Sequence, residues 1–155
     1  MNSQEFAAQI IALTQTLYRV AYTQLPQKSD REDAVQETLK RAWEKRRQLK
    51  RPEYLQTWLI RILLNVCHDM QKHNKHILPK EAVPAASRER PPELREALWA
   101  LEEKYRLPIL LHYIEGCSVS QTADILRLPQ GTVKTRLRMG REKLKDLLRE
   151  EVFDP

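Results

Sequence analysis

The stretch that most constrains this chain is Ser118 to Leu148, SVSQTADILRLPQGTVKTRLRMGREKLKDLL. Ser118 followed by Gln121 three residues on begins a capping box. Val119, Ala123 and Leu126 then share one face at helical spacing. Pro129, with Gly131 close behind, breaks the pattern and predicts a tight turn. A second helix is expected from about Gln130. Val133, Leu137, Gly140, Leu144 and Leu148 face inward on it, and Lys134, Thr135, Arg138, Arg141 and Lys145 face outward. Two short helices joined by a turn, the second strongly basic, form a helix-turn-helix pattern, which lays the second helix in a DNA major groove. Thr132, Lys134, Thr135 and Arg138 are the candidate groove-facing set. A bidentate contact from Arg138 or Lys134 to guanine discriminates by roughly 1–3 kcal/mol. Arg136, Arg141 and Lys145 are candidate phosphate clamps, which give affinity without direct sequence information.

Composition agrees with a polyanionic partner. The 155 residues carry a formal charge of +6, with 31% charged and 41% hydrophobic residues, as in folded helical domains. Only three glycines occur, and no glycine-rich phosphate or dinucleotide fingerprint is present. No apolar run approaches the roughly 20 residues that span a bilayer. MNSQEF carries no signal-type apolar core, so a cytoplasmic, nucleoid-associated protein without membrane insertion is expected. Cys67, His68, His73 and His76 match no common four-ligand zinc spacing, and Cys117 is remote. No third group or oxyanion element completes a catalytic Cys–His pair. No metal, no cofactor and no enzymatic activity are expected.

Helical periodicity also organises the N-terminal half. Phe6, Ile10, Leu13, Leu17, Val20 and Ala21 predict one helix over 6–25, followed by a loop in which Ser29 or Asp30 caps the next helix. Val35, Leu39, Ala42 and Trp43 mark the buried face of that second helix, which is expected to run to about Arg46 or Gln48. A basic run follows: Lys40, Arg41, Lys45, Arg46, Arg47, Lys50 and Arg51. Beyond Pro52, the residues Leu55, Trp58, Leu59, Ile62, Leu63 and Val66 predict a long helix ending near Lys72 to Lys75. The spacing places Trp43 and Trp58 in the core. Residues 77–92 hold Pro79, Pro84, Pro91 and Pro92 without sustained periodicity and read as a flexible linker. Helices are expected again over about 93–103 and 105–115, with Pro108 tolerated in a first turn. The expected architecture is all-α. It comprises an N-terminal helical domain (1–76), a linker (77–92) and a C-terminal helix-turn-helix domain (93–155).

Three passages together resemble the bacterial RNA polymerase sigma factors of the extracytoplasmic-function (ECF) group. They are DREDAVQETLKRAW (30–43), YLQTWLIRILLNVCHDMQKHNK (54–75) and EGCSVSQTADILRLPQGTVKTRLRMGREKL (115–144). Their order and spacing cover nearly the whole chain. Arg31 departs from the acidic or small residue common at its position.

The resemblance implies a transcription initiation factor that binds core RNA polymerase at its clamp and flap regions. It also implies that the N-terminal domain recognises and melts the −10 promoter element, while the C-terminal domain recognises the −35 element. By position, Asp33, Gln36, Glu37, Lys40 and Arg41 would meet the polymerase clamp; on the residues alone they are equally a helix start with acids favourably placed in its dipole. The loop from Gln48 to Trp58 would capture an unstacked base, with Tyr54, Gln56 and Thr57 as candidates, although Tyr54 is equally consistent with core packing. Arg61, Asn65, His68, Lys72 and Lys75 would follow on the DNA-facing side of the long helix. An anti-sigma factor is an implied partner, and a monomer is expected in the absence of partners. The alternative is a helix-turn-helix regulator that never joins polymerase. Such a regulator would need neither the clamp passage nor a melting helix, and would bind its operator alone, usually as a dimer.

Overall fold

The computed structural model describes residues 1–74 and 92–153. Lys75, His76 and nearly all of the 77–92 linker expectation lie outside the described residues. The chain divides into two compact units, Met1–Lys80 and Glu81–Pro155. Among the described residues the structure is helical, without strands.

The N-terminal unit contains α1 (Ser3–Ala12), α2 (Thr14–Tyr22), α3 (Lys28–Glu44) and α4 (Leu55–Asn74), with 3-10 turns at Arg46–Gln48 and Pro52–Tyr54 before α4. Leu17, Val20, Leu25, Val35, Leu59, Ile60 and Leu63 form its fully buried centre. Buried hydroxyls are satisfied locally: Thr38 Oγ1 donates to the Ala34 carbonyl at 2.7 Å, and Thr23 Oγ1 to that of Val20 at 2.7 Å. Gln71 Nε2 donates to the Gln24 carbonyl at 2.7 Å, tying the last turns of α4 to the end of α2.

Three boundaries differ from those expected. The single helix over 6–25 is interrupted at Leu13, where ψ turns to 5°. Thr14 Oγ1 lies 3.5 Å from the Ile10 carbonyl, the back-bonding pattern that bends helices. The bend sets the Phe6 ring 6.3 Å from that of Trp43 and 6.0 Å from that of Trp58. Neither Ser29 nor Asp30 caps α3, which begins at Lys28 with no side-chain cap. Arg31 fastens the preceding turn instead, donating to the carbonyls of Leu25 (3.0 Å) and Pro26 (2.8 Å). The residue that departs from the family pattern therefore closes the α2–α3 turn. Finally, α3 ends at Glu44, and the chain passes through the 3-10 turn at Arg46–Gln48.

The C-terminal unit contains α5 (Pro92–Ala100), α6 (Glu103–Ile109), a π-helical turn (Leu110–Ile114), α7 (Val119–Leu126) and α8 (Gln130–Phe153). Leu98, Leu101, Tyr105, Ile109, Ala123, Val133 and Leu137 make its core. Arg106 is buried: it donates to the Leu98 (3.2 Å) and Leu101 (2.9 Å) carbonyls and stacks 4.0 Å from the Trp99 ring. A cation therefore meets the C-terminal end of α5, where the helix dipole favours it. Pro108 lies in the second turn of α6, not the first. It has no N–H to offer the carbonyl one turn back. The helix then widens, and the Glu115 amide donates five residues back to Leu110 at 3.0 Å. Gly116 takes φ +77° in the turn that follows.

The capping box of α7 is complete: Gln121 N donates to Ser118 Oγ at 3.0 Å, and Ser118 N to Gln121 Oε1 at 2.8 Å. The α7–α8 turn does not depend on Gly131, which already lies inside α8. Its left-handed residue is Arg127, with φ 57° and ψ 48°, a conformation costing about 1–2 kcal/mol in a non-glycine residue.

Candidate promoter and polymerase interfaces

Each unit presents polar helix faces, produced by the same periodicity that builds its core. On α8, Val133, Leu137 and Gly140 are buried and Leu144 half-buried, which turns the opposite side to solvent. At about 100° per residue, Thr135 and Arg138 lie at the centre of the outer face. Lys134 and Arg141 form one flank, and Thr132 and Arg136 the other. Lys134, Thr135, Arg138, Arg141 and Lys145 are exposed, whereas Thr132 and Arg136 are half-buried. Arg138 has only a loose ion pair, 3.8 Å to Glu142, with both side chains largely in solvent. Its guanidinium is therefore available to a base or phosphate. Lys134, Thr135, Arg138 and Arg141 also line a cavity of about 370 Å³ whose other wall is His112, Tyr113 and Val119.

On α4 the expected DNA-facing residues fall on one line. Asn65, His68 and Lys72 are exposed and Arg61 half-buried, opposite Leu59, Leu63, Val66 and Cys67. The loop candidates separate. Tyr54 is 45% exposed, with the Arg51 guanidinium 5.7 Å from its ring centroid, so it is not a core residue. Gln56 is half-buried. Thr57 is only 9% exposed, which removes it from the surface that Tyr54 occupies. It stands one turn before Arg61, on the same side of α4, yet is buried.

On α3, Asp33, Gln36 and Lys40 are exposed. Glu37 and Arg41 pair at 2.8 Å, and that hydrogen bond, joined by the charges of Arg41 and Lys40, lowers the Glu37 carboxyl from its ordinary range. Trp43 departs from the core position expected for it: it is 40% exposed, and Arg46 stacks 4.0 Å from its ring. It stands two turns beyond Gln36 on the same side of the helix. The four-residue step from Leu39 had suggested the core, but Val35, Ala42, Ala34 and Thr38 already fill that face. Trp58 is half-buried. A second cavity, of about 520 Å³, is lined by Phe6, Leu49 and Pro52 with Arg46, Arg47 and Lys50 around them. The sequence showed this basic run without giving it a role.

The cysteines are chemically quiet. Burial pushes the Cys67 thiol up to about 12, and burial followed by the Glu115 charge raises Cys117. A thiolate is the form that attacks or binds metal. Cys67 is buried while His68 and His73 are exposed, so the helix holds them on different sides. Among the described residues no group of three or more potential ligands is placed to hold a metal ion. No described helix is long and apolar enough to cross a membrane.

Comparison with known proteins follows this division. Residues 10–77 match the family described as Sigma-70 region 2, and residues 92–144 match Sigma-70, region 4. The chain is 30% identical over 158 residues to the ECF RNA polymerase sigma factor SigW of Bacillus subtilis, covering 86% of this chain and 83% of SigW. It is 29% identical over 130 residues to the RNA polymerase sigma factor SigV of the same organism, covering 79% and 78%. Its fold is that of the sigma factor RpoE of Bartonella quintana, solved in complex with the anti-sigma factor NepR. That match has a TM-score of 0.83 at 24% identity, over 94% of this chain and 98% of RpoE. The presence of both regions argues against a stand-alone regulator, which has no use for region 2. The chain belongs to the ECF RNA polymerase sigma factors: it is a non-enzymatic initiation factor that binds core RNA polymerase and directs it to specific promoters.

Proposed function

We propose that the two units divide the work of promoter recognition, with residues 1–76 binding core polymerase and opening the −10 element and residues 93–155 reading the −35 element. The observation that carries this reading is the line of Arg61, Asn65, His68 and Lys72 along one side of α4. It is a long, mixed polar and cationic face suited to a strand whose bases are leaving the stack. Tyr54 supplies an exposed aromatic surface at the start of that line, and Gln56 an amide for a base edge. Thr57 supports the loop from inside. Arg46, Arg47 and Lys50 hold the displaced strand's phosphates.

In the C-terminal unit Thr135, Arg138 and Lys134 meet base edges. Thr132 joins them from the half-buried edge of that face, while Arg141 and Lys145 on one side and Arg136 on the other hold the two phosphate backbones. On α3, Asp33, Gln36, Glu37, Lys40 and Arg41 orient the factor on the polymerase clamp. Trp43 adds an aromatic anchor to that rim, the residue type most often dominant in interfaces. The factor works in the cytoplasm at the nucleoid. An anti-sigma factor, like the one bound to the Bartonella relative, holds it inactive by covering α4 and α8.

The division of labour is tested by separating the two activities. Lys134→Ala with Arg138→Ala should leave co-elution with core polymerase unchanged while abolishing upstream promoter protection. Glu37→Lys should weaken co-elution itself. Equal loss of both activities in the double variant would overturn the assignment.

A further inference from the structure

The cavity beside α8 has a second wall that base reading by α8 does not use. Tyr113 lies in the π-helical turn and is 48% exposed, although its neighbours Leu110 and Leu111 are buried. Helical widenings of this kind occur frequently at functional sites. An Arg141 Nη donates to the Tyr113 hydroxyl oxygen across 28 residues of sequence, and the guanidinium carbon lies 5.9 Å from the ring centroid. Because that oxygen accepts, its own O–H remains free to donate outward. Arg141 has further N–H donors beyond the one used. His112 also packs against the ring. Its Nδ1 bonds the Cys117 carbonyl at 2.8 Å, and its ring meets that of Tyr113 edge-on at 4.8 Å. None of the residues lining the cavity carries a carboxylate, and three of them, Lys134, Arg138 and Arg141, are cationic.

We propose that Tyr113 and Arg141 form a two-donor site for one backbone phosphate of duplex DNA, at the edge of the groove that α8 enters. The proposal rests on the reading of α8 as the −35 recognition helix and adds a contact from outside the helix pair. The cavity lies between Tyr113 and the line of Lys134, Thr135 and Arg138. A duplex seated on that line brings its sugar–phosphate edge to the phenol. A hydroxyl and a guanidinium are both common partners of phosphate oxygens.

The competing role is purely mechanical, with Tyr113 bracing the π-helical turn against α8. Phosphate-ethylation interference separates the two. The probe is a duplex selected from a random pool by holoenzyme made from core polymerase and the full chain. In the wild type, ethylation should interfere at a cluster of upstream phosphates. Tyr113→Phe keeps the ring and removes the hydroxyl; it should erase interference at one phosphate on the edge of the cluster and weaken binding by about 3- to 10-fold. Arg141→Gln should erase the same phosphate and lower the slope of log affinity against log salt by about one. An unchanged interference map in Tyr113→Phe overturns the proposal, and a lowered melting temperature with that unchanged map assigns the bracing role instead. If the wild type shows no upstream interference at all, the reading of α8 fails and this proposal fails with it.

Discussion

Gly140 sits where α8 crosses α6. A Cβ there would lie 3.1 Å from Ile109 Cγ1, 3.3 Å from Ile109 Cδ1 and 3.3 Å from Tyr105 Cβ. The Ile109 side chain can shift slightly, whereas the Tyr105 Cβ is fixed to the backbone. Gly140→Val should therefore destabilise by about 1–3 kcal/mol through overpacking, read as a lowered midpoint in thermal unfolding. Gly140→Ala should be close to neutral, because the helical preference of alanine, worth about 1 kcal/mol, offsets milder crowding. An unchanged midpoint for the valine variant would show that the two helices do not need this close approach. Gly140 was legible in the sequence because it fell on the apolar stripe of α8. Arg127, Thr57 and Trp43 were not. The left-handed turn of Arg127 follows from where α7 must end, and short-range residue signals had pointed to Gly131. Trp43 lies at the margin of the apolar face of α3, and Thr57 is buried although its position falls on the polar line of α4. Trp43 matters for the proposed function, since it adds an exposed aromatic side chain to the side of α3 proposed to meet polymerase.

Among the elements, α4 and α8, the two helices proposed to face DNA, were the most legible. Their apolar stripes are long, and the polar residues that remain fall on one side by geometry. The capping box that starts α7 was explicit in Ser118 and Gln121. Ser118→Ala should cost about 1 kcal/mol and lower the thermal midpoint without moving core binding. A variant that melts with wild type would contradict the cap's role. The breaks were less legible. The bend at Leu13 and the start of α3 depend on hydrogen bonds from Thr14 and Arg31 to carbonyls four to six residues back, and neither leaves a mark in hydrophobic periodicity. The π-helical turn after Pro108 belongs to the same class. It comes just after a proline inside a helix, and it holds the exposed Tyr113, whose hydroxyl accepts from Arg141.

For the whole molecule, fold class and family followed from the joint pattern rather than from any single motif. The helix-turn-helix alone indicated DNA. The acidic-then-aromatic helix and the long helix after Pro52 turned that into a factor that also engages polymerase. Two separate helical units, each with a polar face built on a compact core, suit a protein that must grip promoter DNA at two points while bound to one enzyme. The decisive measurement is in vitro transcription on the region upstream of the chain's own gene, with purified core polymerase alone, with the chain, and with the Lys134→Ala and Arg138→Ala double variant. A discrete transcript is expected only when the wild-type chain is present, and it should be lost with the double variant despite intact core binding. A chain that neither co-elutes with core polymerase nor yields a transcript on any template selected with it would overturn its role as an initiation factor.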